Sequence, residues 1–320
     1  MNGNLYLDFK SLAKQVGLAA LDVGARGGVS RDLLPLADCV DMYGFEPDSE
    51  ECDRLNKQKQ SLWKSVKYMP MALGEREETI DINLYRRRGC SSRLSARQNT
   101  GELYSRGDYY IHDDTIKVEA RRLDDLVAEH RIESPAFMKI DVQGMEVEVF
   151  RGAVQALAGS MVGIRSEVGF YPLYEGQPLF AEIDQFLRPF GFAPMRWLEL
   201  HEWRRTTKSK LPVLGPKPMP YSRGQLMHGD ILYLLQPEGL PGDTDSQLRR
   251  LVCLALVAVC YDLLDHALAV FQRTDVRDYC YGLIKEDPAI LVHQISEARS
   301  RRYRGLHALM LKAHNRLYGQ

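Results

Sequence analysis

Apolar positions along this chain come in two kinds of run, short ones of strand length and longer ones at helical spacing, and the two alternate. Residues 5–13 have helical spacing and predict a helix packed beneath the first strand. Residues 18–23 are a first strand, and 30–35 open the next helix with Ser30 as its cap. Strands follow at 40–45 and 66–69, with a helix over 48–58 between them, and the alternation at 79–85 predicts an extra strand. A polar, glycine-bearing stretch runs from 86 to 114, long enough to be either functional or disordered. Strands at 116–121, 137–141 and 162–168 are then predicted, with helices at 123–129, 145–157 and 179–189 and two last strands at 195–201 and 230–236. Strands alternating with helices make a doubly wound, Rossmann-like α/β sheet.

Two segments interrupt that pattern. Residues 206–220 hold four prolines and three lysines, which predicts a structureless connector, either a lid or an inert loop. Residues 237–243, rich in glycine and proline, read as a boundary. Beyond it, Arg250 and Asp262 bracket a charge-free apolar run of eleven residues. That is short of the roughly 20 a membrane span needs, so a buried helix is expected. Pro288 opens a last helix reaching Leu317, with the basic residues Arg299, Arg301, Arg302 and Arg304 on a solvated face. The expected organisation is a catalytic domain over 1–238, including an N-terminal helix within 1–17, and a helical C-terminal module over 243–320. Helices this apolar need covering, and a homodimer held partly through 248–271 is expected.

The chemistry gathers where strands end. The first strand closes on Asp22 and opens into Gly24-Ala25-Arg26-Gly27-Gly28; the second closes on Glu46-Pro47. Glycines let a ligand approach the backbone, and an acid after the second strand can accept hydrogen bonds from a ribose diol. The loop lacks G-x-G-x-x-G spacing, and an acid two residues before Gly24 disfavours a pyrophosphate. S-adenosyl-L-methionine carries an ammonium, a sulfonium and a free ribose diol, and suits both acids.

The segment 137–153 contains Lys139-Ile140-Asp141-Val142-Gln143-Gly144-Met145-Glu146 and ends in Gly152-Ala153. It resembles the signature of the FkbM family of S-adenosylmethionine-dependent methyltransferases, as do Asp22-Val23-Gly24-Ala25, Phe45-Glu46-Pro47 and Met71-Ala72-Leu73-Gly74. The resemblance covers residues 18–236 and implies that Gly24, Ala25, Gly28, Pro47 and Ala72 join Asp22 and Glu46 at the cofactor. It also implies an antiparallel final strand and a sugar or natural-product hydroxyl as acceptor. Gln143 stands where the family usually has Glu, and Arg26 where Asn is common.

Methyl transfer to a hydroxyl needs a group to orient the acceptor and take its proton. Asp141, at the end of the fourth main strand, is the leading candidate, and it could equally hold the methionine end of the cofactor. Glu167 follows, with His112 and Tyr171 as loop contributors. No metal is expected, because the adjacent His112, Asp113 and Asp114 point to alternate faces of an extended chain. Two other classes stay open: a nicotinamide-dependent oxidoreductase on a related sheet, and a binding protein without catalysis.

Composition narrows the partners rather than the reaction. Bases and acids nearly cancel, 42 against 43 in 320 residues, so neither nucleic acid nor a membrane surface is an expected partner, only a small-molecule or glycan acceptor. Six cysteines without a C-x-x-C pair, and a first segment lacking a basic leader, lead us to expect a cytoplasmic protein with reduced thiols.

Overall fold

A computed structural model of the chain describes residues 7–58, 62–206, 208–211, 215–218 and 221–301. They form two compact units, one of residues 18–31 and 40–236, the other from the described parts of 1–17, 32–39 and 237–320.

The first unit is built on strands β1 (Leu18–Val23), β2 (Val40–Phe45) and β3 (Ser65–Met69). Next come β4 (Ala72–Leu73), β5 (Glu78–Tyr85), β6 (His112–Arg121), β7 (Phe137–Ile140) and β8 (Gly163–Gly169). The series ends with β9 (Phe192–Trp203), β10 (Lys208–Leu211), β11 (Gly215–Pro218) and β12 (Gln225–Leu235). Seven of them make one sheet in the order β3-β2-β1-β7-β8-β12-β9, a mixed sheet with a parallel core. β12 runs antiparallel to both its neighbours, as the family resemblance implied. All six residues of β1 are buried, as a central parallel strand covered on both faces requires. From β1 the chain turns to β2 on one side and returns to β7 on the other, so the strand order reverses there. In open α/β sheets such a reversal leaves a crevice outside the carboxyl ends of the two strands, where ligands bind. β4, β6 and β5 form a separate small sheet, whose Ile80, Ile82 and Leu84 pack with Val118 and Ala120.

Four local expectations fail, each for a physical reason. The helix expected from residue 30 is instead a 3₁₀ helix at Leu34–Cys39, and Ser30 caps nothing. Its N–H donates to Asp22 Oδ2 at 2.6 Å, and this holds the chain in a turn. The single helix expected over 145–157 is two, Glu146–Arg151 and Val154–Gly159. They part at Gly152, where any Cβ would lie 1.9 Å from the Gly74 carbonyl oxygen. Asp124 then caps the second helix, accepting from the N–H groups of Gln155 (2.9 Å) and Ala156 (3.0 Å). The helix expected to reach 189 stops at Leu187 and tightens into a 3₁₀ turn containing Pro189. Nor is the proline-rich connector structureless: β10 and β11 pair as an antiparallel ribbon. Pro216 and Pro218 are two residues apart, so their missing donors fall on one side of the strand.

The second unit is helical: Leu7–Val16, Asp245–Cys260, Leu264–Phe271 and Thr274–Ile284, with residues 288–301 also helical. The helix Leu7–Val16, expected with the first strand, groups with the C-terminal helices. Arg249 closes its carboxyl end, donating from Nε to the Val16 carbonyl at 3.1 Å, and the rings of Phe9 and Phe271 meet at 6.1 Å. Thr244 and Gln247 form a capping box at the start of Asp245–Cys260. The apolar stripe of that helix, offered by the sequence to a twofold copy, is buried within one chain. Arg299 pairs with Asp262 and Arg301 with Glu297; Arg302, Arg304 and Leu317 lie outside the described residues. Among the described residues no helix is long and apolar enough to cross a membrane.

Candidate active site

A cavity of about 240 Å³ opens at the carboxyl ends of β1, β2 and β7. Gly24, Glu46, Pro47, Asp48, Lys139 and Asp141 line its polar side; Met71, Leu73, Ile80, Ile82, Leu84 and Ile116 line an apolar side. Of the residues singled out from sequence, Gly24, Glu46, Pro47, Ala72 and Asp141 reach it. Asp22, Ala25 and Gly28 support the turn without lining it, and Glu167 and His112 are also outside its wall. The stretch 86–114 contributes Arg88, Gly89, Ser91, Ser92 and Arg93. Ser92 is fixed there by backbone hydrogen bonds with Asn83 and by its hydroxyl, which donates to the Gln143 carbonyl at 2.8 Å.

The glycine turn brings β1 and β7 into contact. Gly24 has φ +86°, and a Cβ there would sit 2.0 Å from the Asp141 carbonyl oxygen, so only glycine fits. Asp22 faces inward. Besides Ser30, it meets Lys139 Nζ at 3.4 Å, and burial pushes its carboxyl up to about 6 against the pull of that ammonium. It holds the loop rather than lining the cavity. Lys139 also reaches Asp141 at 3.8 Å; burial pulls this ammonium down, but Asp141 and Asp22 outweigh burial and hold it charged.

Glu46 is almost fully buried, and its Oε1 accepts the Asp48 N–H at 2.9 Å. Burial raises its carboxyl above the ordinary range, opposed by the Asp48 hydrogen bond and by Arg26. Arg26 bonds Asp48 at 2.5 Å and stands 3.7 Å from Glu46, so it braces the acid instead of contributing an amide as the family's usual Asn would.

Around Asp141 the arrangement is tighter. Gln143 takes a left-handed backbone (φ +56°), which turns its side chain between two carboxyls. Its Nε2 donates to Asp141 Oδ1 at 2.7 Å and to Glu167 Oε2 at 2.6 Å, while Tyr174 donates to its Oε1 at 2.8 Å. An amide carries two donors and an acceptor where a carboxylate would be a second anion beside Asp141, which accounts for Gln at this position. Burial works against ionised Asp141, but Lys139 and the Gln143 hydrogen bond prevail and lower its carboxyl. Burial and the charge on Asp141 push Glu167 well above the carboxylate range. Neighbouring carboxyls driven apart in this way share one proton, here on Glu167. Glu167 Oε1 in turn lies 2.9 Å from His228 Nδ1.

The remaining candidates are elsewhere. His112 begins β6, exposed, bonding Thr115 Oγ1 at 2.9 Å, and Asp113 pairs with Arg88. Tyr171 packs edge-on against Tyr104. Among the described residues no group of three His, Cys, Asp or Glu is arranged to hold a metal ion. Sequence reasoning passed over Lys139, Glu146 and His228. Glu146 accepts the N–H groups of Val142 and Gly144 and so ties the loop after β7; its place in the 139–146 motif was the available signal. His228 had none.

Residues 22–194, just over half of the chain, match the Methyltransferase FkbM domain. A 2-O-methyltransferase, NoeI, of Sinorhizobium fredii is 31% identical over 180 residues, which cover 54% of this chain and 73% of that relative. The chain belongs to the FkbM methyltransferase family. Among solved structures, the methyltransferase FkbM from Methylobacillus flagellatus aligns at TM-score 0.35 and 12% identity, covering 68% of this chain; this chain spans only 44% of that one. The magnesium protoporphyrin IX methyltransferase of Synechocystis PCC 6803, solved with bound SAM, aligns at 0.32 and 11% identity over 73% of this chain and 85% of that one. Scores this low carry no argument, and the fold class rests on the sheet described above.

Proposed function

We propose that this methyltransferase uses S-adenosylmethionine to O-methylate a hydroxyl of a sugar or related natural product. The observation carrying this reading is the convergence of Glu46 and Asp141, from the ends of two strands, on one cavity with an apolar wall. The donor set suits the cofactor. Glu46 is placed to accept from a ribose diol, Ile80 and Ile82 offer a surface for the base, and the Cβ-free backbone at Gly24 leaves room for an amino-acid tail. The printed activity of the Sinorhizobium relative, 2-O-methylation, supports oxygen as the acceptor atom.

When bound, the cofactor supplies an already activated methyl group. The protein then has to align a hydroxyl, receive its proton and keep water out. Asp141 is ionised at neutral pH and open to the cavity, so it can hold the acceptor hydroxyl and take its proton. Lys139 steadies the charge, and Gln143 fixes the carboxylate's direction.

Replacing Glu46 with alanine is expected to weaken S-adenosylmethionine binding by about 1.5–3 kcal/mol, the range for hydrogen bonds to a charged group. Isothermal calorimetry measures this directly. An unchanged affinity removes Glu46 from the ribose role.

A further inference from the structure

Methylating a hydroxyl releases a proton at the cavity wall, and Asp141, which lines it, is the first group able to take it. The Gln143 amide spans Asp141 Oδ1 and Glu167 Oε2 at 2.7 and 2.6 Å, which brings the two carboxyls together so that each acts on the other's ionisation. Glu167 continues to His228, 2.9 Å away, on the antiparallel strand β12. His228 Nδ1 is buried and completes no hydrogen bond among the described residues; Glu167 Oε1 is the polar atom it approaches. The ring as a whole is one-fifth exposed and stacks at 4.5 Å on His201, whose side chain is about half exposed. A file of groups therefore leads from the cavity wall through two carboxyls and an imidazole to solvent.

We propose that Glu167 and His228 relay the reaction's proton from Asp141 to water, with Gln143 positioning the two carboxyls; the proposal rests on the hydroxyl-methylating reading above. The acceptor's O–H bond breaks as its new O–CH₃ bond forms, and the proton passes to Asp141. Asp141 gives a proton to one oxygen of Glu167 while Glu167 passes the proton on Oε1 to His228 Nδ1. The imidazolium loses its Nε2 proton to water, and the ring regains its resting Nε2–H tautomer by exchange before the next turnover. Asp141 is again a carboxylate, and one proton has reached solution with no further reactant consumed.

The resting charges suit that order. Burial and Asp141 keep Glu167 protonated, while burial and His201 push His228 down to about 4, so a loaded donor faces an empty acceptor at neutral pH. The other titratable groups facing the pair are Glu146 from the helix after β7, Asp230 from β12, and Cys90, Tyr110 and Tyr174. Asp230 is neutralised by Arg165 across to β8, and Lys139 stands beside Asp141.

Two measurements test the relay. In ¹⁵N-histidine spectra of the protein without ligands, His228 should stay neutral from pH 8 to 5, with its proton on Nε2 and Nδ1 accepting. An imidazolium at pH 7, or the opposite tautomer, overturns the proposal. His228→Asn keeps an acceptor for Glu167 but cannot carry a proton, and Glu167→Gln breaks the step before it. With a panel of methyl hexosides as acceptors, both variants should bind S-adenosylmethionine normally yet turn over roughly 10²-fold more slowly at pH 7. The loss should shrink as pH rises and when imidazole is added, which a merely structural defect would not do. Turnover at the wild-type rate, or a loss indifferent to pH and imidazole, defeats the relay. If the wild-type protein labels no hexoside, the sugar reading fails, and the histidine spectrum still judges the relay.

Discussion

Asp141→Asn is expected to lower methyl-transfer turnover by roughly 10²–10⁴-fold, the usual contribution of a positioned acid–base group, with cofactor affinity little changed. The substitution keeps the shape of a side chain that lines the cavity, so what is lost is charge and basicity. Because Lys139 and Gln143 hold Asp141 below the usual carboxylate range, the acid limb of the wild-type rate should fall below that range too. Steady-state kinetics paired with calorimetry separate the two roles that the sequence left open. If affinity collapses with turnover, Asp141 holds the cofactor and the base lies elsewhere.

Gln143→Glu is expected to destabilise the protein by about 3 kcal/mol at pH 8, toward the lower end of what an uncompensated buried charge costs. It exchanges the amide's two donors for an anion between ionised Asp141 and protonated Glu167. Burial and Asp141 would raise the new carboxyl's pKa in the folded state. Relative to wild type at the same pH, stability should therefore be best retained below the unfolded glutamate value and lost as pH rises through the folded one. Urea unfolding at pH 5 and pH 8 reads this, and an equal penalty at both would show that the amide between the carboxyls is not what matters. Glu at this position in relatives would then need compensation that this chain lacks.

Much of the cofactor side was legible because it is local. Asp22, Gly24 and Glu46 belong to two neighbouring strand ends, and strand periodicity alone places those ends together. Asp22 shows the limit of that reading: an acid before a glycine loop serves equally as ligand contact or loop anchor, and the structure places this one buried against Ser30 and Lys139, outside the cavity wall. The Glu167–His228 contact was illegible for another reason. It depends on the register in which β12 returns beside β8, with Asp230 opposite Glu167 and His228 opposite Gly169, and pairing between residues some sixty positions apart leaves no trace in spacing. The helix break at Gly152 and the loss of the helix expected from residue 30 likewise come from tertiary contacts that override local helical pattern.

The helical unit carries a consequence for biosynthesis. Its helix Leu7–Val16 is made well before the Arg249 side chain that closes it, which lies 233 residues later. At about 5–20 residues per second, on the order of tens of seconds separate the two on the ribosome. Throughout that interval Phe9 and Val16 lack Phe271 and Arg249, the partners they meet in the finished unit. Early on the nascent helix therefore has only the 34–39 turn to pack on, through Asp38 and Cys39, and the part of its apolar face that Phe271 covers is completed once translation has passed that residue.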